Sequence, residues 1–168
     1  MTCAGITGHQ RLDDSKAWTW VASIMNEELA RMAPPLLGVS SLAIGADQLL
    51  ARLVIEHGGK IHAVLPFIDI ERTFSPEHLP VFHDLASRAV IEVLDTCGTD
   101  EDAYLAAGKR VVDLSDIVLA VWDGKPAKGK GGTADVVAYA IERGVPLVHI
   151  DPTSRTARRL SVAADAKS

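Results

Sequence analysis

The sequence predicts an α/β protein, a three-layer α/β/α sandwich built on a mainly parallel sheet of about six strands. Three observations carry this expectation. Short apolar runs alternate with longer stretches of helical spacing, the form that repeated strand–helix units take in a sequence. Several of the runs, "IVLAV", "IHAVL" and "PLVHI", contain almost no polar residue, as expected when helices cover both faces of a sheet. Glycine and proline stand where helices should stop, at Pro34-Pro35, at Gly58-Gly59, and at Gly144 ahead of Pro146.

Taken in order, the first strand spans Thr2–Thr7 and turns at Gly8 into a helix near 14–33, which the two prolines close. A second strand over Val39–Ala43 turns at Gly45 into a helix near 46–57, with Asp47 in its first turn, where the helix dipole favours a carboxylate. The third strand, Ile61–Leu65, precedes a long polar connection and a helix near 77–88. Ala89–Leu94 and a helix near 100–114 follow, then a fifth strand, Ile117–Trp122, a Gly- and Lys-rich loop and a helix near 132–143. Val145–Ile150 completes the sheet. Residues 1–152 read as one domain, and 153–168 as a polar tail that frays or forms a short surface helix.

Composition narrows the function. A chain of 168 residues with 48% hydrophobic and 23% charged residues suits one globular domain. Aromatics are only 5%, so the core is aliphatic. The net charge of −5 leaves no broad basic surface, so DNA binding is not expected and an anionic ligand must rely on a locally positive pocket. Cys3 and Cys97 have neither disulfide-framework nor zinc spacing, which favours a reducing cytoplasm. No apolar run approaches a membrane span, and the N-terminus lacks the pattern of a secretory signal. His78 and His83, five apart, have poor geometry for one metal ion, so neither metal nor cofactor is assigned.

Ligands of open parallel sheets bind beyond the carboxyl ends of the strands, where strand order reverses. Four loops meet that condition. "GKGGT", residues 129 to 133, can bring free backbone N–H groups close to an anion at a helix N-terminus, while Thr133 either caps the helix or donates its hydroxyl to a phosphate oxygen. Lys125, Lys128 and Lys130 supply local positive charge there. Gly8 and His9, with Arg11, put donors at the middle of the sheet edge; the bland alternative is a polar loop. Gly45, Ala46 and Asp47 form a close strand-to-helix turn, in which Asp47 alone is more often a cap than a site residue. The long segment after the third strand suits a lid, with Arg72 for charge and Phe74 for stacking, or else a surface crossover. Asp123, just after the fifth strand, is placed to accept ribose hydroxyls, whereas Asp116 lies at the opposite edge. Tyr104 reads as core packing.

Together "ITGHQRL", "SSLAIGADQLLARLVIEHGGKIHAVLPF", "YLAAGKRVVDLSDIVLAVWDG" and "GKGGTADVVAYAIERGVPLVHIDP" resemble the SLOG superfamily of Rossmann-like proteins, over residues 3 to 152. That superfamily includes the DNA-processing protein DprA, the lonely-guy phosphoribohydrolases and the YpsA-like proteins. The resemblance implies a nucleotide or nucleotide-derived ligand surrounded by Gly8, His9, Gly45 to Asp47, Asp123 and Gly131, Gly132 and Thr133. The hydrolases carry a glutamate three residues after a Gly-Thr pair, and here that position is Val136, with Asp135 the nearest acid. Cleaving an N-glycosidic bond builds positive charge on the sugar and needs a carboxylate facing it. A shift of one position turns a helical side chain by about 100°. Asp123 and Asp135 are the catalytic candidates, with Asp47 and Glu71 as substitutes. The leading expectation is therefore binding of a nucleoside monophosphate or an ADP-ribose type ligand. Second stands nucleoside 5′-monophosphate phosphoribohydrolase activity, and third a ligand-controlled oligomeric module, with a homodimer expected.

Overall fold

The computed structural model describes residues 1–127 and 132–160. In chain order the elements are β1 (Thr2–Gly8), α1 (Ala17–Arg31), β2 (Leu36–Ser40), α2 (Ala46–Glu56), β3 (Lys60–Leu65), α3 (Leu79–Ser87), β4 (Ala89–Val93), α4 (Asp100–Asp113), β5 (Ile117–Val121), α5 (Thr133–Glu142), β6 (Leu147–Asp151) and β7 (Thr156–Leu160). Two short 3-10 turns, Ile70–Thr73 and Pro76–His78, lie between β3 and α3.

The sheet order is β4-β3-β2-β1-β5-β6-β7, parallel throughout except for β7, which runs antiparallel to β6. Side chains alternate across a strand, so each strand feeds both faces. Ala4 and Ile6 of β1 join Val21, Met25 and Leu29 of α1, the leucines of α2 and Phe82 of α3 in the larger core. On the opposite face Val118 and Ala120 pack under Val136, Val137 and Ala140 of α5, while Ala107 and Val111 of α4 meet Val39 and Val64. The predicted three-layer α/β architecture stands, with α1, α2 and α3 on one face and α4 and α5 on the other.

Local chemistry sets the boundaries. Thr99 and Asp102 form a reciprocal capping box that starts α4. β2 begins directly after Pro35, three residues earlier than the apolar run "VSSLA" implies, and ends at Ser40, since Leu42 turns back at φ 58° and is buried in the core from a loop. The larger departure is at the C-terminus. Residues 156–160, expected to fray or to form a short helix, instead add a seventh strand. Its register sets Arg158 opposite His149 and Arg159 opposite Val148. Arg159 then reaches Glu28 of α1 at 2.9 Å, tying the new edge to a helix layer. Among the described residues no helix is long and apolar enough to cross a membrane.

Strand β1 lies between β2, from which the sheet builds in one direction, and β5, from which it builds in the other. The point where strand order reverses is therefore the gap between the ends of β1 and β5, and a crevice is expected above it.

Candidate functional site at the β1–β5 switch point

A cleft of about 810 Å³ opens at that point, lined by segments that follow β1, β2, β5 and β6 and by residues of α4 and α5. Its volume is within the range of small-molecule sites, roughly 300–1,000 Å³.

The turn after β1 is the hub. The His9 N–H donates to the Val121 carbonyl at 3.1 Å, and the His9 carbonyl accepts from the Ala46 N–H at 3.1 Å. One residue thereby fixes the end of β5 and the start of α2 around Gly8. The His9 ring joins in: its Nε2 accepts the Asp123 N–H at 3.1 Å, which leaves the ring proton on Nδ1. Asp123 Oδ1 lies 3.5 Å from the same nitrogen and accepts the Lys125 N–H at 2.9 Å, a local turn that holds its carboxylate beside the cleft. His9 and Asp123, 114 positions apart, are thus neighbours.

Gly45, at φ 87° and ψ −126°, and Ala46 do not line the cleft but fix the turn behind it. A Cβ at Gly45 would stand 2.5 Å from the carbonyl oxygens of both His9 and Gln10, so the two loops close on each other only over a glycine. Ala46 is fully buried behind it. Asp47 is 9% exposed and lines the cleft. Burial pushes its carboxyl up to about 7, against the opposing donation of the Ala43 and Ser41 N–H groups. It braces the β2–α2 turn as well, since its Oδ2 accepts from Ala43 at 3.4 Å and its carbonyl accepts from the Ser40 hydroxyl at 3.1 Å.

At α5 the capping position is Gly132, whose carbonyl accepts the Asp135 and Val136 N–H groups. Thr133 is the first helical residue rather than the cap, and its side chain faces the cleft lining. The N–H groups of Thr133 and Ala134 have no intrahelical acceptor, as the first turn of a helix requires. Gly129 and Gly131, together with Lys128 and Lys130, lie outside the described residues. Asp135 sits in the first turn of α5 but is not among the residues lining the cleft, whereas Val136 is. The reason is a helix contact. A Cβ at Gly108 of α4 would be 2.5 Å from Val136 Cγ2, so the valine fills a notch that the glycine leaves open.

Arg72 is elsewhere. Its guanidinium holds Asp100 at the start of α4 through two bonds of 3.0 and 2.8 Å, takes Asp69 at 3.0 Å, and stacks on Phe67 at 4.6 Å. Phe74 packs on Phe82 with ring centres 4.8 Å apart. The segment after β3 is a pinned crossover, and neither residue lines the cleft. Arg72→Ala is accordingly expected to leave any ligand affinity within about twofold of the unmodified protein, measurable by titration calorimetry; a tenfold loss would show that Arg72 reaches the ligand.

Sequence reasoning missed three contributors. Thr7 at the end of β1 lines the cleft floor. Tyr104, read as core, is 36% exposed and faces the cleft with Ala107, Gly108 and Val111, the i, i+3, i+4, i+7 stripe of one helix face. The β6–β7 turn adds Thr153 and Arg155, and Arg155 pairs with Asp14 at 3.5 Å across the mouth. Asp116 lies at the opposite edge, where its Oδ2 accepts the Cys3 N–H at 2.8 Å. Among the described residues no three His, Cys, Asp or Glu side chains gather as a metal would require.

A doubly wound, mostly parallel sheet with its crevice at the switch point defines the class of Rossmann-like proteins. Solved structures place the chain more closely. DNA processing protein A from Helicobacter pylori, described for its single-stranded DNA binding mode, matches at a TM-score of 0.64 with 19% identity, covering 91% of this chain and 70% of its own. The Streptococcus pneumoniae DprA matches at 0.65 with 17% identity, covering 88% of this chain and 50% of its own, so this chain spans half of that protein. The structural-genomics target TM1055 matches at 0.55 with 17% identity, covering 88% and 72%. The chain therefore shares the Rossmann-like fold of these solved structures, as the sequence resemblance implies. No protein-family model matches the chain, and no curated protein matches it in sequence.

One expectation is corrected by these matches. DNA binding was not expected on the grounds of net charge, yet a DprA with this fold binds single-stranded DNA. Net charge is a sum over the whole surface, while binding responds to the local potential, so the overall charge of −5 does not by itself exclude a nucleic acid.

Proposed function

We propose that the protein binds a nucleotide or nucleotide-derived ligand, of nucleoside monophosphate or ADP-ribose type, in the switch-point cleft. The observation that carries this reading is convergence: Gly8 and His9, Asp47, Asp123 and Gly132 with Thr133 come from four separate segments and line one cavity of nucleotide size. The first N–H groups of α5, which have no acceptor within the helix, suit a phosphate, and Asp123 suits ribose hydroxyls.

Binding without cleavage is favoured over hydrolysis. Val136 occupies the position where the hydrolase pattern has its glutamate, and Asp123 and Asp47 are each engaged by backbone N–H groups. Calorimetry against AMP, ADP-ribose, NAD, cyclic nucleotides and a short single-stranded oligodeoxynucleotide is the test. At least one ligand is expected to bind with micromolar affinity and to weaken about tenfold or more in Gly132→Asp, whose carboxylate would stand at the same helix end as the phosphate. Silence across the panel would remove the proposal, and release of free base from a monophosphate, seen by chromatography, would replace it with the hydrolase reading.

A further inference from the structure

Thr7 is a largely buried residue whose hydroxyl has no hydrogen-bond partner among the described residues. Thr7 is 8% exposed, the last side chain of β1 before Gly8, yet no hydrogen bond joins its Oγ1 to any of the described residues, whereas buried Ser40 and Asp47 are both bonded. Buried hydroxyls are satisfied in the great majority of cases. No fully enclosed side-chain polar atom lacks a partner among the described residues, and Thr7 lines the cleft, so its hydroxyl opens onto that space.

Its surroundings identify what it faces. Thr7 shares a face of β1 with Gly5, whose Cβ position would meet Val111 of α4, so it points into the α4–α5 layer. Its cross-strand neighbour on β5 is Ala120, a small residue that adds no bulk beside the hydroxyl. On the same side, α5 begins over the strand ends with the Thr133 and Ala134 N–H groups unaccepted within the helix. We propose that Thr7 is a phosphate-binding residue, the floor of a site in which a phosphoryl group is held between its hydroxyl and the first N–H groups of α5. This rests on the nucleotide-binding reading and adds to it the side chain that recognises the phosphate.

The experiment is a two-by-two titration, AMP and adenosine against the unmodified protein and Thr7→Val, with melting curves in the presence and absence of inorganic phosphate. Valine has the shape of threonine and favours a strand, so removing an unpartnered hydroxyl should leave the melting temperature unchanged or raised. AMP affinity should fall about tenfold or more, as for one lost bond to a charged acceptor, while adenosine affinity stays level and the protection by phosphate disappears. Thr7→Ser keeps the hydroxyl and should bind AMP as the unmodified protein does. Equal loss for AMP and adenosine would move Thr7 from the phosphate to the base or sugar and overturn the assignment. So would AMP affinity unchanged in Thr7→Val, or a Thr7→Val protein that no longer folds while Thr7→Ser folds but has lost AMP. If the unmodified protein binds neither AMP nor phosphate, this assignment is overturned, and the nucleotide-binding reading falls with it only where the rest of the nucleotide panel is silent as well.

Discussion

A Gly45→Ala variant is expected to melt about 10 °C below the unmodified protein and to lose the cleft. Two costs combine. The backbone at φ 87° and ψ −126° is a region that residues with a side chain avoid, at about 1–3 kcal/mol. The added methyl would also stand 2.5 Å from two carbonyl oxygens, those of His9 and Gln10. Neither is the far end of a flexible side chain. Relieving the clash means moving the β1–α1 turn, and that turn carries the His9 bonds to Val121 and Ala46, so the strain spreads to both walls of the site. Overpacking of this kind adds about 1–3 kcal/mol, and each kcal/mol is about 2–4 °C for a chain of this size. Thermal melts and calorimetry check it. A variant that melts within about 2 °C of the unmodified protein and keeps its ligand would show that the loops are not locked as described.

The second large effect is a pH dependence located at Asp47. Its carboxyl titrates near 7 in the fold against an ordinary 3.8, because burial penalises the charge. Between those values the folded chain keeps a proton that the unfolded chain has lost. Stability therefore falls as pH rises through the window from about 4 to about 7, and is flat with respect to this group on either side. The full span corresponds to roughly 4 kcal/mol at most. Asp47→Asn keeps an oxygen to accept the Ala43 N–H and has no charge to bury, so it should melt several degrees above the unmodified protein at about pH 8 and beside it at about pH 4. The difference between the two curves isolates Asp47, since carboxylates such as Glu92, lowered chiefly by its hydrogen bond to His62, slope the other way. Parallel curves across the range would sink the prediction.

The strands and helices were legible because their faces are apolar and their ends are marked by glycine and proline. What escaped has identifiable causes. β7, "TARRL", is an antiparallel edge whose residues are almost all exposed, so it shows no apolar alternation, and its pairing with β6 and Glu28 is tertiary. Leu42 looked like a strand residue because it is apolar, although it is buried from a loop. Arg72 has the chemistry of a ligand clamp, but its charge is taken by Asp100, 28 positions on, which no local pattern discloses. At the site, attention to loops after strands located His9, Asp47, Asp123 and Thr133 and passed over Thr7 and Tyr104, one inside a strand and the other on a helix. The stripe Tyr104, Ala107, Gly108, Val111 was readable as a helix face; nothing in the sequence said that part of it borders open space.

The fit of Val136 over Gly108 bears on how this fold could change its chemistry. Residues in direct contact are energetically coupled, commonly by about 0.5–3 kcal/mol. The two positions are therefore an epistatic pair: the side chain tolerated at 136 depends on what stands at 108, and the spacing of α4 and α5 depends on both. Installing a carboxylate at 136 is not a single exchange but a paired one, made across a helix contact.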